Sequence, residues 1–158
     1  MDTPHVTFTA EEICEHAKGN AGAAILLVLV AARERGESLE DAARFAGRIV
    51  APGWESERGK GARTIARWAA LNAVTCGADV RRLDGDARRA EATVAGWPSE
   101  EDLASFGLTQ EEADALNALY GPIAERLGLH YAWRRDGDAV VMTFSARESE
   151  RGSAGRGT

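Results

Sequence analysis

Six arginines stand in adjacent pairs, Arg81-Arg82, Arg88-Arg89 and Arg134-Arg135, close to two glycine–aspartate turn sequences. Neighbouring residues of a strand point to opposite faces, so each pair on a strand offers one guanidinium to either side. A guanidinium is a planar fork of donors that suits a carboxylate or phosphate. Arg82 and Arg134 are the two expected to meet an acidic ligand group. The other reading stays open: the arginines pair across strands with Asp84, Asp86, Glu91, Asp136 and Asp138, or solvate an open face.

His130 lies in the alternating stretch Leu129-His130-Tyr131-Ala132-Trp133-Arg134. An imidazole there can act as a general base, and His130 is the one candidate catalytic residue; packing or solvation is the plainer role. No second histidine or cysteine stands at metal-ligand spacing from it, and Cys14 and His16, two apart, would point to different helix faces. No metal site is expected, and no motif names a cofactor. Trp54, Trp68, Trp97, Trp133 and Tyr131 are candidates to line an aromatic pocket, with Asn72 offering an amide to a ligand. Asn20 and Asn72 sit in apolar helical stretches and would need buried partners. Gly53 to Arg63 gathers glycines and cations near a helix start, where free amides can hold an anion; a flexible loop is the plainer reading, and a lid over the ligand is the other. The phosphate-loop order, the Gly-x-Ser-x-Gly elbow and His-Glu-x-x-His are all absent.

These residues need elements to hold them. Thr9 to Glu12 has the spacing of a capping box, opening a helix to about Arg35. Within it Ala21 to Ala32 is apolar all round, which predicts a core helix with neighbours on most sides. Ser38 and Asp41 cap a second helix through Val50, and a third is expected from about Ser56 to Cys76, its start loosened or delayed by Gly59 and Gly61. Ala78–Leu83 and Ala87–Ala95 read as strands joined at Asp84-Gly85-Asp86. Ser99 caps a short helix. A longer one runs from Thr109 to Gly128 and should kink at Gly121-Pro122. A second hairpin turns at Asp136-Gly137 into Val140–Phe144. Val80 to Asp86 recurs loosely as Trp133 to Asp138, which makes a helix–strand–turn–strand unit used twice. The predicted fold is α+β: helices on one face of a four-stranded antiparallel sheet, in the order ααα-ββ-α(α)-ββ.

The chain has 158 residues, with 44% apolar, 28% charged and a net charge of −6. That suits one α+β domain over residues 1–146, with a glycine-rich polar tail over 147–158 expected to be disordered. The negative charge argues against nucleic acid and anionic lipid as partners. The apolar run of twelve residues is too short to span a membrane, which takes about 20. Two cysteines make no disulfide framework, and without a targeting segment the cytoplasm is the expected compartment.

The segment Ala95-Gly96-Trp97-Pro98-Ser99 leads through Leu103-Ala104-Ser105-Phe106-Gly107-Leu108, Tyr120, Ile123-Ala124 and Leu127-Gly128 to the Tyr131-Ala132-Trp133 strand. Over residues 64–145 this resembles small bacterial α+β proteins similar to aminothiazoline-carboxylate hydrolases, which overlap in outline with vinyl-reductase-type ligand-binding domains. Such proteins often carry Cys-Pro where this chain has Trp97-Pro98, and no catalytic residue is carried over from them.

Two functions fit. One is a small-molecule-binding protein or a small-substrate enzyme such as a hydrolase, taking an acidic or aromatic molecule between core helices and sheet. The other is a non-catalytic homodimeric module, joined through the Ala21–Ala32 helix or an edge strand at Val140–Phe144.

Overall fold

A computed structural model describes residues 8–147; His5 and the tail beyond Arg147 lie outside the described residues. The fold is α+β. Helix α1 (Ala10–Glu34) opens on the Thr9 capping box: the Thr9 side chain accepts from the Glu12 amide, and the Glu12 carboxylate accepts from the Thr9 amide at 2.7 Å. Helix α2 (Leu39–Val50) is capped by Ser38, and a 3-10 segment, Ala51–Glu57, follows it directly. Helix α3 (Ala62–Thr75) starts later than expected, after Gly59 and Gly61, which take positive φ of 80° and 87°. Strands β1 (Asp79–Gly85) and β2 (Arg89–Ala95) form the first hairpin. Helices α4 (Glu100–Phe106) and α5 (Gln110–Asp114) come next, each opened by a capping box. A 3-10 turn (Ala115–Leu119) joins α5 to α6 (Tyr120–Arg126), and β3 (Leu129–Asp136) and β4 (Ala139–Ala146) form the second hairpin.

The sheet is antiparallel in the order β1-β2-β4-β3, so the two hairpins lie side by side. Registers Ala92↔Met142 and Trp133↔Met142 put Ala90, Ala92, Val94, Val140, Met142, Phe144, Tyr131 and Trp133 on one face. Helices α3 and α6 cover that face, and small side chains on α3 (Ala62, Ala66, Ala69, Ala70) let the helix lie close to it. Phe144, Met142, Ile65 and Ile123 are buried here to within 2% of completely. Each such side chain stabilises the fold by roughly 1.5–3 kcal/mol through its removal from water.

Four expectations are corrected. Strand β4 is interior, hydrogen-bonded to both β2 and β3, so Val140–Phe144 is not an edge open to another chain. The first turn lies two residues later than expected: Gly85 still belongs to β1, and the Asp86 carboxylate closes the turn by accepting from the Arg88 and Arg89 amides. The helix expected from Thr109 to Gly128 is not one kinked helix. Pro122 cannot donate to the preceding turn, so the chain tightens into 3-10 geometry and restarts with Pro122 in the first turn of α6, where its missing amide costs nothing.

The fourth correction concerns α1. Of its 25 residues only Gly22, Leu26, Leu29 and Ala32 are buried. The apolar run is therefore one-sided in its packing, with Leu27 53% exposed. Taken whole, α1 is long and apolar enough to cross a membrane by length and composition, with a mean hydropathy of 1.3 over its best 18 residues. Leu26 and Leu29 instead pack against Leu108, with Trp97 and Phe106 at the margin.

Candidate ligand cavity

A cavity of about 380 Å³ opens between α1, the C-terminal half of α3, the α5–α6 connection and the inner sheet face. That volume falls within the range of small-molecule sites, about 300–1,000 Å³. Ile25, Val50, Leu116, Leu119, Ile123, Val94, Val140 and Met142 make its walls mainly apolar, and Trp54 and Trp97 add rings at its edges. Trp54 stands edge-on to Tyr120, ring centroids 6.3 Å apart, and Tyr120 stands edge-on to Phe144 at 6.2 Å. The aromatic wall of the cavity is thus continuous with the core.

Trp97 is held by the close passage of α1. A β-carbon on Gly22 would lie 2.8 Å from the indole nitrogen of Trp97 and 3.3 Å from the Cys76 carbonyl oxygen. Only a residue without a side chain lets α1 lie this near.

One polar cluster interrupts the apolar wall. Arg135 donates from Nε to the Asp114 carboxylate at 2.6 Å, and its Nη2 also donates to that carboxylate. The carboxylate accepts again from Gln110 at 2.9 Å, while the Asn117 amide donates to the Asp114 carbonyl oxygen at 2.9 Å. The pair is well sheltered, with 28% of the arginine and 14% of the aspartate side chain exposed. Hydrogen bonding to Asp114 raises the Arg135 pKa above its ordinary value and keeps the guanidinium charged. Of its five donors, Asp114 takes two, so others remain for a ligand.

Cys76 lines the same cavity, and burial pushes its thiol pKa up, which keeps it a protonated, apolar wall group. Burial likewise pushes Tyr120 up to about 12; its hydroxyl donates to the Ala69 carbonyl oxygen at 3.3 Å, and a contact with Asn72 works the other way. The Tyr131 hydroxyl is buried with no hydrogen-bond partner, and burial again raises its pKa well above the ordinary value.

Of the residues singled out in the sequence, Trp54, Asn72 and Trp97 line the cavity. Asn72 lies at its rim, exposed, as is Asn20, so neither needs the buried partner expected of it. Trp68 is 36% exposed and donates to Glu57 at 3.0 Å, in a shallower recess shared with Trp54 and Asn72. Tyr131 and Trp133 face inward but pack into the core behind the cavity. His130 and Arg134 are exposed on the opposite face of the sheet. Arg82 is exposed and bound to Asp84, Arg134 to Asp136 at 3.1 Å, and Arg81 to Asp138 at 2.6 Å. Most of the paired arginines thus neutralise nearby acids.

The inward guanidinium is Arg135. Strand parity carries that signal, since Tyr131, Trp133 and Arg135 share one face. Asp114 and Asn117 had none, because a broken helix hides which of its residues turn toward the sheet.

The segment expected to be a lid is pinned. Arg126 and Arg58 both reach the Glu55 carboxylate, at 2.8 and 2.6 Å. The first amides of α3 are also occupied: Ala62 donates to the Ala87 carbonyl at 2.8 Å, and Arg63 to that of Asp86 at 3.1 Å. Among the described residues, no cluster of three or more histidine, cysteine or acidic side chains is placed to hold a metal.

No family model and no curated protein matches the chain. Among solved structures it is similar to a trafficking protein particle complex subunit 3 from Naegleria fowleri, whose crystal structure has palmitic acid covalently bound. The TM-score is 0.45 at 14% identity, over 90% of this chain and 99% of that one. Likeness of that degree says nothing of what this chain binds.

Proposed function

We propose that this chain is a small-molecule-binding protein whose ligand is mainly apolar and carries one polar or anionic end. The observation that carries the reading is the 380 Å³ cavity, mainly apolar, with the sheltered Arg135–Asp114 pair as its charged group. Apolar walls supply affinity in proportion to the area removed from water, and a single charged fork fixes orientation. The spare donors of Arg135 would meet the polar end, while Trp54 and Trp97 would flank the body. His130 has no part in this reading, because it stands on the far side of the sheet, and neither does hydrolysis.

Native mass spectrometry of protein purified from its own host, beside a denatured run, tests for a resident molecule. The expected result is a stoichiometric added mass that disappears on denaturation. Independently, 1-anilinonaphthalene-8-sulfonate, an aromatic anion, should bind the folded protein and brighten. Ala73→Phe, which fills the cavity, should abolish that binding, and Arg135→Leu should weaken it about tenfold. A folded protein with no added mass, whose probe binding is unchanged by Ala73→Phe, would overturn the proposal.

A further inference from the structure

The N-terminal part of α1 stands outside the fold. Every residue from Ala10 to Ala17 is exposed, Ile13 by 58%, and Phe8 just before the helix by 69%. Isolated helices shorter than about 12–15 residues are marginal in water, and an uncovered apolar stripe is a further liability. On the side of α1 away from its buried residues, the exposed positions Ile13, Ala17, Asn20, Ala24, Leu27 and Ala31 follow at alternating spacings of four and three. That spacing is the seam of a two-helix coiled coil.

We propose that this seam joins two copies of the chain, α1 antiparallel to α1, about a two-fold axis near Gly22. Size argues for the antiparallel sense. It sets Ile13 against the small Ala31 of the second copy, Leu27 against Ala17, and Asn20 against Ala24, so large side chains meet small ones in each layer. A parallel pair would stack Leu27 on Leu27 and leave alanine layers gapped. Charge argues against the parallel sense, which would set Glu11 and Glu12 of the two copies side by side, like against like; at the other end Arg33 and Arg35 are already paired with Glu112 and Glu37.

Helix α2 extends the surface, since Phe45 and Ile49, 58% and 65% exposed, flank a groove with Val28 and Ala31. Ile13 of the second copy, opposite Ala31, falls beside that groove. A lipid bilayer is the poorer occupant. Spanning would pull Leu26 and Leu29, both fully buried, out of the core, and the acidic first turns repel an anionic surface.

Sedimentation velocity at micromolar concentrations should show a dimer. Leu27→Glu, and separately Ile13→Glu on the exposed arm, should give monomers with unchanged circular dichroism. Register is read by oxidative cross-linking in a Cys14→Ser background, Cys76 being buried. The double variant Ala17→Cys/Leu27→Cys should form a covalent dimer, and Leu27→Cys alone should not. A monomeric wild-type chain, or linkage by Leu27→Cys alone, would overturn the proposal. So would a wild-type monomer that sediments with lipid vesicles and loses this on Leu27→Glu.

Discussion

Arg134 and Arg135 are adjacent and chemically identical, yet one is solvated and the other closes a cavity. Which is which follows from strand parity alone. His130→Ala should accordingly leave fluorescent-probe binding unchanged, and a titration of that variant checks it. Tyr131 makes the opposite point, since its hydroxyl is buried without a partner. Removing an orphaned polar group relieves a desolvation penalty, so Tyr131→Phe should stabilise the protein by about 1 kcal/mol, read as a raised urea midpoint. Tyr120 gives a pH dependence. Its folded pKa is about 12 against an ordinary 10.0. The unfolded chain therefore loses its proton first as pH rises. Stability from this group is complete below about pH 10 and is lost as pH climbs through about 12. Denaturant titrations across that window should show the fall, and Tyr120→Phe should make it shallower, leaving the part that Tyr131 contributes.

At the scale of elements, glycines set how closely helices approach. A β-carbon on Gly47 would lie 2.1 Å from the Leu119 carbonyl oxygen, a backbone atom that cannot swing aside. Gly47→Ala should therefore separate α2 from the 3-10 turn and cost at least about 2 kcal/mol, measured by urea unfolding. At Gly22 the nearer obstacle is the Trp97 ring, and the Cys76 carbonyl oxygen lies farther off at 3.3 Å. Gly22→Ala should displace the indole and shift its fluorescence with a smaller loss of stability. The capping boxes at Thr9, Ser99 and Thr109 and the two hairpins were legible in the sequence, because each depends on residues three or four apart. The broken course of residues 110–126 was not, since Pro122 announces a disturbance of the helix without saying whether the chain kinks or tightens into a 3-10 turn.

At the scale of the molecule, the two hairpins of the repeated unit pair through β2 and β4 and make one sheet with a single covered face. The cavity lies on the inner side of α1 and the proposed dimer seam on its outer side, so the two can be perturbed separately. Leu27→Glu should give a monomer that still binds the probe, and Ala73→Phe a dimer that does not. Either variant losing both properties would mean the two sites are coupled through α1.

The chain by itself determined the α+β class, the three opening helices, the two hairpins and the order in which they come. Those features rest on local periodicity and capping, which act before any long-range contact forms. Trp54 and Trp97 were singled out because they stand at the ends of elements; Asn72, at the rim, was singled out for a buried partner that its exposed position does not require. Only the tertiary structure decided that α1 is buried on one side, that β4 is interior, and that Asp114 and Arg135, 21 residues apart, meet at a cavity. The physical reason is that burial belongs to packed surfaces: an apolar helix has the same sequence whether a neighbour covers it or water does.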